Sequence, residues 1–260
     1  MAVLLPENAF SILALAIALG SIPYAYFGRY KASYVFGGAF IAIFVLQLLT
    51  FFANPLDPSG RPCTDPTGRL CFVDVVEYEL AMQPAVFLRG EEWWTPVTHM
   101  FVHGDMFHIF GNGLSLLLFG PKLEQHIGTR FFASLYLVAG FFAAFVSLLY
   151  LPESEVRMLG ASGAISGILG LYVMRFPRDQ IWLPIGFLPV ALPAWGFLIV
   201  FILLQFWFSL SGQGIAWWAH LAGLVVGLLV GAWMWSRERA RRRGRHYPES
   251  AGWTVEHYNR

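Results

Sequence analysis

Of the 260 residues, 57% are hydrophobic and only 13% are charged, about half the charged share of an ordinary soluble domain. The formal net charge is +1, and no basic face covers the chain, which argues against a nucleic-acid partner. Aromatic residues make up 17%, ten of them Trp, as suits rings anchored at a membrane interface.

Seven apolar segments reach or approach the roughly 20 residues that a spanning helix needs. In chain order they run over about 8–28, 33–53, 105–120, 130–151, 161–176, 192–210 and 214–235. The first has a long apolar run, lacks a basic leader and is followed by Arg29 and Lys31, so it reads as a retained helix rather than a signal peptide. Between the second and third, residues 54–70 are rich in Pro, Gly and Asp and read as loop. Residues 72–90 alternate weakly, and Trp93 and Trp94 follow at a spacing suited to the headgroup region. This segment is expected to lie in the interface.

Lys and Arg asymmetry orients the spans. Arg29, Lys31, Lys122, Arg130, Arg175, Arg178, Arg237, Arg239, Arg241, Arg242, Arg243 and Arg245 fall on one side, against Arg61, Arg69, Arg89 and Arg157 on the other. The arginine-rich tail is thus expected in the cytoplasm, and the 54–104 segment, the 152–160 loop and the turn near Gly212 outside. Cys63 and Cys71 then occupy an oxidising compartment, where a disulfide is the expectation and two unrelated thiols the alternative.

Polar residues inside membrane helices are costly and raise a functional hypothesis. The third segment carries His108 and Asn112, four apart and on one face. The fifth opens with Gly160-Ala161-Ser162-Gly163, and the seventh carries His220 about six residues, roughly 9 Å, below its start. All three helices enter from outside, so these side chains share one shallow depth. A serine needs a base to take its proton, and a neutral histidine is the usual one. At a helix start, unpaired N–H groups stabilise a developing oxyanion. No Asp or Glu lies in the spanning core, so a Ser162–His220 dyad without a third member is expected. Gly163, Gly167 and Gly170, with Gly223, Gly227 and Gly231, would let the two helices approach closely.

His103-Gly-Asp-Met-Phe-His108-Ile-Phe-Gly-Asn112, Gly160-Ala-Ser162-Gly163 and Ala219-His220-Leu-Ala-Gly223, in that order, resemble the rhomboid intramembrane serine proteases over roughly residues 33–235. The resemblance implies an all-α membrane protein: a rhomboid-like six-helix bundle with an additional N-terminal transmembrane helix and an interfacial external loop. It divides the chain into an extra helix (1–32), a protease core (33–236) and a basic cytoplasmic tail (237–260). It implies Ser162 as nucleophile and His220 as base. His108, Asn112 and the Ser162 amide form the implied oxyanion hole, with Gly160 and Gly163 grouped there for oxyanion or substrate binding. Glu124 is similar to a structural acidic residue, and the 192–210 helix to a mobile one that admits substrate. The implied partners are transmembrane protein substrates and the lipid bilayer, with no metal or other cofactor. The implied setting is the plasma membrane of a prokaryote, as a multi-pass protein. Oligomeric state is not readable.

Two positions depart from the family pattern: Trp93-Trp94 stands where many members have Trp-Arg, and Ser166 where some have an aromatic that stacks on the histidine. His99 and His103 are four apart, as zinc ligands can be, but no HExxH motif is present; they are expected to brace the loop by hydrogen bonds. A catalytically inactive, client-binding relative is the alternative function. A transporter would place its polar groups at mid-membrane instead.

Overall fold

The computed structural model describes residues 6, 8–53, 74–154, 156–185, 188–211 and 217–244. Cys63, Cys71, the 54–70 loop and the turn at Gly212 lie outside the described residues. In chain order, α1 (Ala9–Phe27) and α2 (Ala32–Ala53) lead to three short helices, α3 (Val75–Leu80), α4 (Pro84–Leu88) and α5 (Thr95–Thr98). A 3-10 turn (His99–Phe101) then precedes α6 (Met106–Ile127), α7 (Thr129–Tyr150) and α8 (Ser162–Arg175). The antiparallel strands β1 (Gln180–Ile185) and β2 (Leu188–Pro193) pair from Gln180–Pro193 to Ile185–Leu188. The chain ends in α9 (Ala194–Ser211) and α10 (Trp217–Gly244).

All seven apolar segments are therefore helical, and the fold is that of an all-α membrane protein. Four helices are long and apolar enough to cross a membrane: α1, α2, α7 and α10. Large apolar side chains such as Phe27, Phe52, Phe107, Leu149, Phe206 and Trp207 stand outward, as they must where lipid is the solvent. The β1–β2 hairpin was not expected from the sequence. α10 also runs past the predicted end at residue 235, so the first part of the basic tail continues the last helix.

The shortest of the seven, α8, is the centre of the bundle. Every residue from Gly163 to Val173 is buried, which is why its sequence is small or apolar on all sides rather than striped. α6, α7, α9 and α10 pack around it. α1 lies against α2, α7 and the short helices, and its Ala14, Leu15, Ala18 and Ala25 belong to the same apolar core as the rest.

Buried polar side chains tie the helices together. Glu124 on α6 is 1% exposed. Its carboxylate accepts from the Ala32 amide at 2.6 Å, the Ser33 amide at 3.0 Å and the Ser33 hydroxyl at 2.7 Å. An anion thus satisfies orphan donors at the N-terminus of α2, where the helix dipole favours it. Gln47 on α2 donates to Asp74 at 2.7 Å and to the His103 carbonyl at 2.9 Å, and accepts from the His103 amide at 3.1 Å. It thereby fixes the backbone that leads into α6.

The short-helix segment is clamped to the 151–161 connection. Met82 and Met158 exchange backbone hydrogen bonds of 2.8 and 2.7 Å. Arg157 makes a two-pronged ion pair with Glu92 at 2.9 and 3.2 Å, donates to the Ala81 carbonyl, and lies 4.0 Å over the Tyr78 ring. The two tryptophans that were expected together at the headgroups separate. Trp93 is 56% exposed, but Trp94 is buried, its indole N–H donating to the Glu79 carbonyl at 2.9 Å. The motif's second ring serves the core because that N–H finds a partner there.

Removing the Glu124 carboxylate in Glu124→Leu leaves three donors unpaired. It is expected to lower unfolding free energy by about 3 kcal/mol, read by denaturant titration in detergent. Glu77 gives a pH test. Burial first, and then the charge of Asp74, push its carboxyl up to about 7, against the pull of Arg157. The folded chain then holds a proton that the unfolded chain has released, so this group costs stability as pH rises from about 4.5 to about 7. Glu77→Gln is expected to melt above wild type at pH 8 and level with it at pH 4.5.

Candidate active site

Ser162 is the first residue of α8, preceded by Gly160 at φ +109°. That backbone conformation is open to glycine and strained for other residues. Space demands glycine there too: a Cβ on Gly160 would come within 2.5 Å of His108 Nε2 and 3.6 Å of Asn112 Nδ2. The turn is held by the Gly160 amide, which donates to the His99 carbonyl at 2.8 Å. His108 and Asn112 therefore lie against the backbone that delivers Ser162, as their spacing on one face of α6 requires.

Asp105 caps α6, accepting from the Phe107 and His108 amides at 2.8 and 2.9 Å. The His108 ring packs edge-on to His103 at 5.2 Å, and His103 in turn lies 5.0 Å from Phe40. Burial pushes the His103 imidazole down to about 3 and the His99 imidazole down to about 4, and the ring nitrogens of both have no hydrogen-bond partner among the described residues, so the rings pack against their neighbours rather than brace the loop by hydrogen bonds as expected. Asn112 is 6% exposed, and its Nδ2 has no hydrogen-bond partner among the described residues. A buried amide N–H left unpaired costs free energy, and this one is available to a ligand.

From α10, His220 reaches across so that Ser162 Oγ and His220 Nε2 are 2.6 Å apart. The approach rests on glycines. A Cβ on Gly223 would overlap the Gly163 carbonyl, and one on Gly227 the Gly167 carbonyl. Gly170 meets the Leu224 carbonyl in the same way at 2.6 Å. Gly163 faces Ala143 of α7 and the Ala219 carbonyl, and so sits in the helix seam. With backbones in contact, even short side chains at the top of the seam meet.

The structure brings together Ser162, His220, His108, Asn112, Gly160 and Gly163. It also supplies a residue that sequence reading missed. Gln205 on α9 is 6% exposed, and its Oε1 is 2.6 Å from His220 Nδ1. The third member carries no charge, so the absence of Asp and Glu from the spans says nothing of it; a lone amide in the run Phe-Ile-Leu-Leu-Gln-Phe-Trp-Phe is its signal in the sequence. At the aromatic departure, Ser166 donates to the Ser162 carbonyl at 2.7 Å. The ring beside His220 is instead Phe201 of α9, 6.4 Å away.

The Rhomboid domain family model matches residues 90–237. The chain belongs to the rhomboid family. It is 29% identical over 140 residues to rhomboid protease GlpG of Yersinia pseudotuberculosis, covering 54% of this chain and 48% of that protein. To rhomboid protein 1, mitochondrial, of Saccharomyces cerevisiae it is 31% identical over 162 residues, covering 59% and 45%. To RHOMBOID-like protein 5 of Arabidopsis thaliana it is 30% identical over 143 residues, covering 50% and 46%. The chain thus spans about half the length of these curated relatives.

The seam is testable by itself. Gly227→Ala inserts a methyl against the Gly167 carbonyl and is expected to cost about 1–3 kcal/mol, measured by unfolding in detergent. Gly38→Ala on α2, where a Cβ meets nothing within 4 Å, is expected to leave stability level or raised.

Proposed function

We propose that this rhomboid is an intramembrane serine endopeptidase that cleaves membrane-spanning segments of other proteins with a Ser162–His220 dyad. The 2.6 Å contact between Ser162 Oγ and His220 Nε2 carries the reading. In this mechanism Nε2 takes the hydroxyl proton as Oγ attacks the scissile carbonyl. The oxyanion that forms is held by the Ser162 amide at the start of α8, by Asn112 Nδ2 and by His108. His220 then gives its proton to the departing amine; in the second half-reaction it deprotonates a water that attacks the acyl-enzyme and returns that proton to Ser162 Oγ as the acyl–oxygen bond breaks.

Depth supports the substrate class. The 14 residues of α8 rise about 21 Å, short of the roughly 30 Å hydrocarbon layer. With Arg175 in its last turn holding that end at the charged face, the serine at its start is recessed beneath the other face, within reach of water and of a membrane-spanning substrate. That substrate must unwind locally to expose its peptide bond, so helix-breaking sequences are preferred. By the Lys and Arg bias, the serine face is the external one and the end of α10 is cytoplasmic.

Ser162→Ala is expected to reduce cleavage of a single-span substrate in liposomes by at least about a thousandfold with unchanged melting. A fluorophosphonate should label wild type at Ser162 and not the variant. Absent labelling of wild type would favour an inactive, client-binding protein, and cleavage by the alanine variant would remove Ser162 as nucleophile.

A further inference from the structure

Among the side chains described on α9, those of Ala194 and Gln205 are the buried ones; the rest are half-buried or exposed. A glutamine that turns inward from an otherwise apolar helix must satisfy its amide there, because an unpaired one in an apolar setting costs free energy. Gln205 does so on the far side of the His220 ring from Ser162, with Oε1 2.6 Å from Nδ1. Phe201, one turn earlier on the same face of α9, adds its ring beside the imidazole.

We propose that Gln205 is the positioning residue of the dyad, a neutral third member that fixes the tautomer and orientation of His220; this rests on the protease reading above. An amide oxygen only accepts, so the partner nitrogen Nδ1 must carry the hydrogen. A neutral imidazole then has its lone pair on Nε2, which faces Ser162 Oγ at 2.6 Å. Without the oxygen, the opposite tautomer becomes accessible, with Nε2 protonated and unable to take the serine proton. When Nε2 is protonated during the reaction, the Gln205 dipole also faces the charged ring. A carboxylate plays this part in three-residue triads; here a neutral oxygen does it, with no second ion buried beside the site.

The consequence concerns α9 as a whole. α8 and α10 hold each other through backbone contacts at glycines, but the described link from α9 to His220 is by side chains alone. Displacing α9 would break the Nδ1 bond and remove Phe201 together. The base is therefore set only while α9 is seated against α10.

The test compares Gln205→Leu with Gln205→Glu, in liposomes, by kcat and KM on a single-span substrate and by rate of fluorophosphonate labelling. Leucine suits a buried apolar site and glutamate does not, so a packing role predicts that the leucine variant outperforms the glutamate variant. Positioning predicts the reverse order: Gln205→Leu loses at least about tenfold in kcat with KM within about twofold, and Gln205→Glu, which keeps an oxygen at the same reach, is the more active. Should the leucine variant not fold, Gln205→Ser, too short to reach Nδ1, takes its place. Wild-type kcat in the leucine or serine variant, with Ser162→Ala inactive, overturns the role of Gln205 alone. Activity in Ser162→Ala overturns the dyad and this proposal with it.

Discussion

The site exists because two backbones touch. Along the seam of α8 and α10, glycines at 163, 167 and 170 lie along glycines at 223 and 227, so closely that a methyl on Gly170, Gly223 or Gly227 would overlap a carbonyl of the facing helix. In lipid there is no hydrophobic force between apolar helices, and close backbone packing is one of the few sources of association. The same contact sets the reach of the proposed chemistry. A serine has one rotatable bond before its oxygen, so it meets an imidazole from the next helix only if the axes lie very near each other. Gly163 and Gly223 meet immediately below Ser162 and His220, so packing and site are one feature.

Around that seam, the structure spends buried polar groups on holding the serine end of α8 in place. Arg157 fastens the connection before α8 to the short-helix segment through Glu92 and the Ala81 carbonyl. Gln47 holds the backbone at His103, and Glu124 anchors α6 to the start of α2. Each is nearly inaccessible to solvent or shielded by its partner, where an unmet hydrogen bond is expensive. These interactions fix where α6 starts, and so where His108 and Asn112 stand relative to Gly160. Gln47 and Glu124 are satisfied, whereas Asn112 Nδ2, like the ring nitrogens of His99 and His103, is buried with no partner among the described residues, and it alone of these lies against Gly160. A donor left open beside the start of a helix is the arrangement that anion stabilisation requires.

α9 stands apart from this framework. It presents Trp195, Leu203, Phe206 and Trp207 outward and turns Gln205 inward. The histidine is thus bounded by two kinds of support, a rigid one from α8 through the serine and a side-chain one from α9. Ser166 and Phe201 show how the same need can be met from different elements. A ring beside His220 comes from α9, while the position four residues after Ser162 is given to a small hydroxyl that bonds within its own helix.

The local signals in the sequence were sufficient for much of this. Apolar segment length placed seven helices, since a bilayer demands internally bonded backbone over a set span. Three polar motifs on separate helices, with glycines at every fourth residue, pointed to the Ser162, His220, His108 and Asn112 cluster, because polar groups in a membrane segment need a reason. What only the tertiary structure decided were partners that have no sequence spacing to betray them. The β1–β2 hairpin, the inward turn of Trp94, the bridging by Gln47 and the approach of Gln205 to His220 each depend on which face of an element meets which neighbour. A glutamine amid Phe, Leu and Trp has no periodicity to assign it a side. Its orientation follows from where α9 lies against α10, and that is set by the packing of the whole bundle.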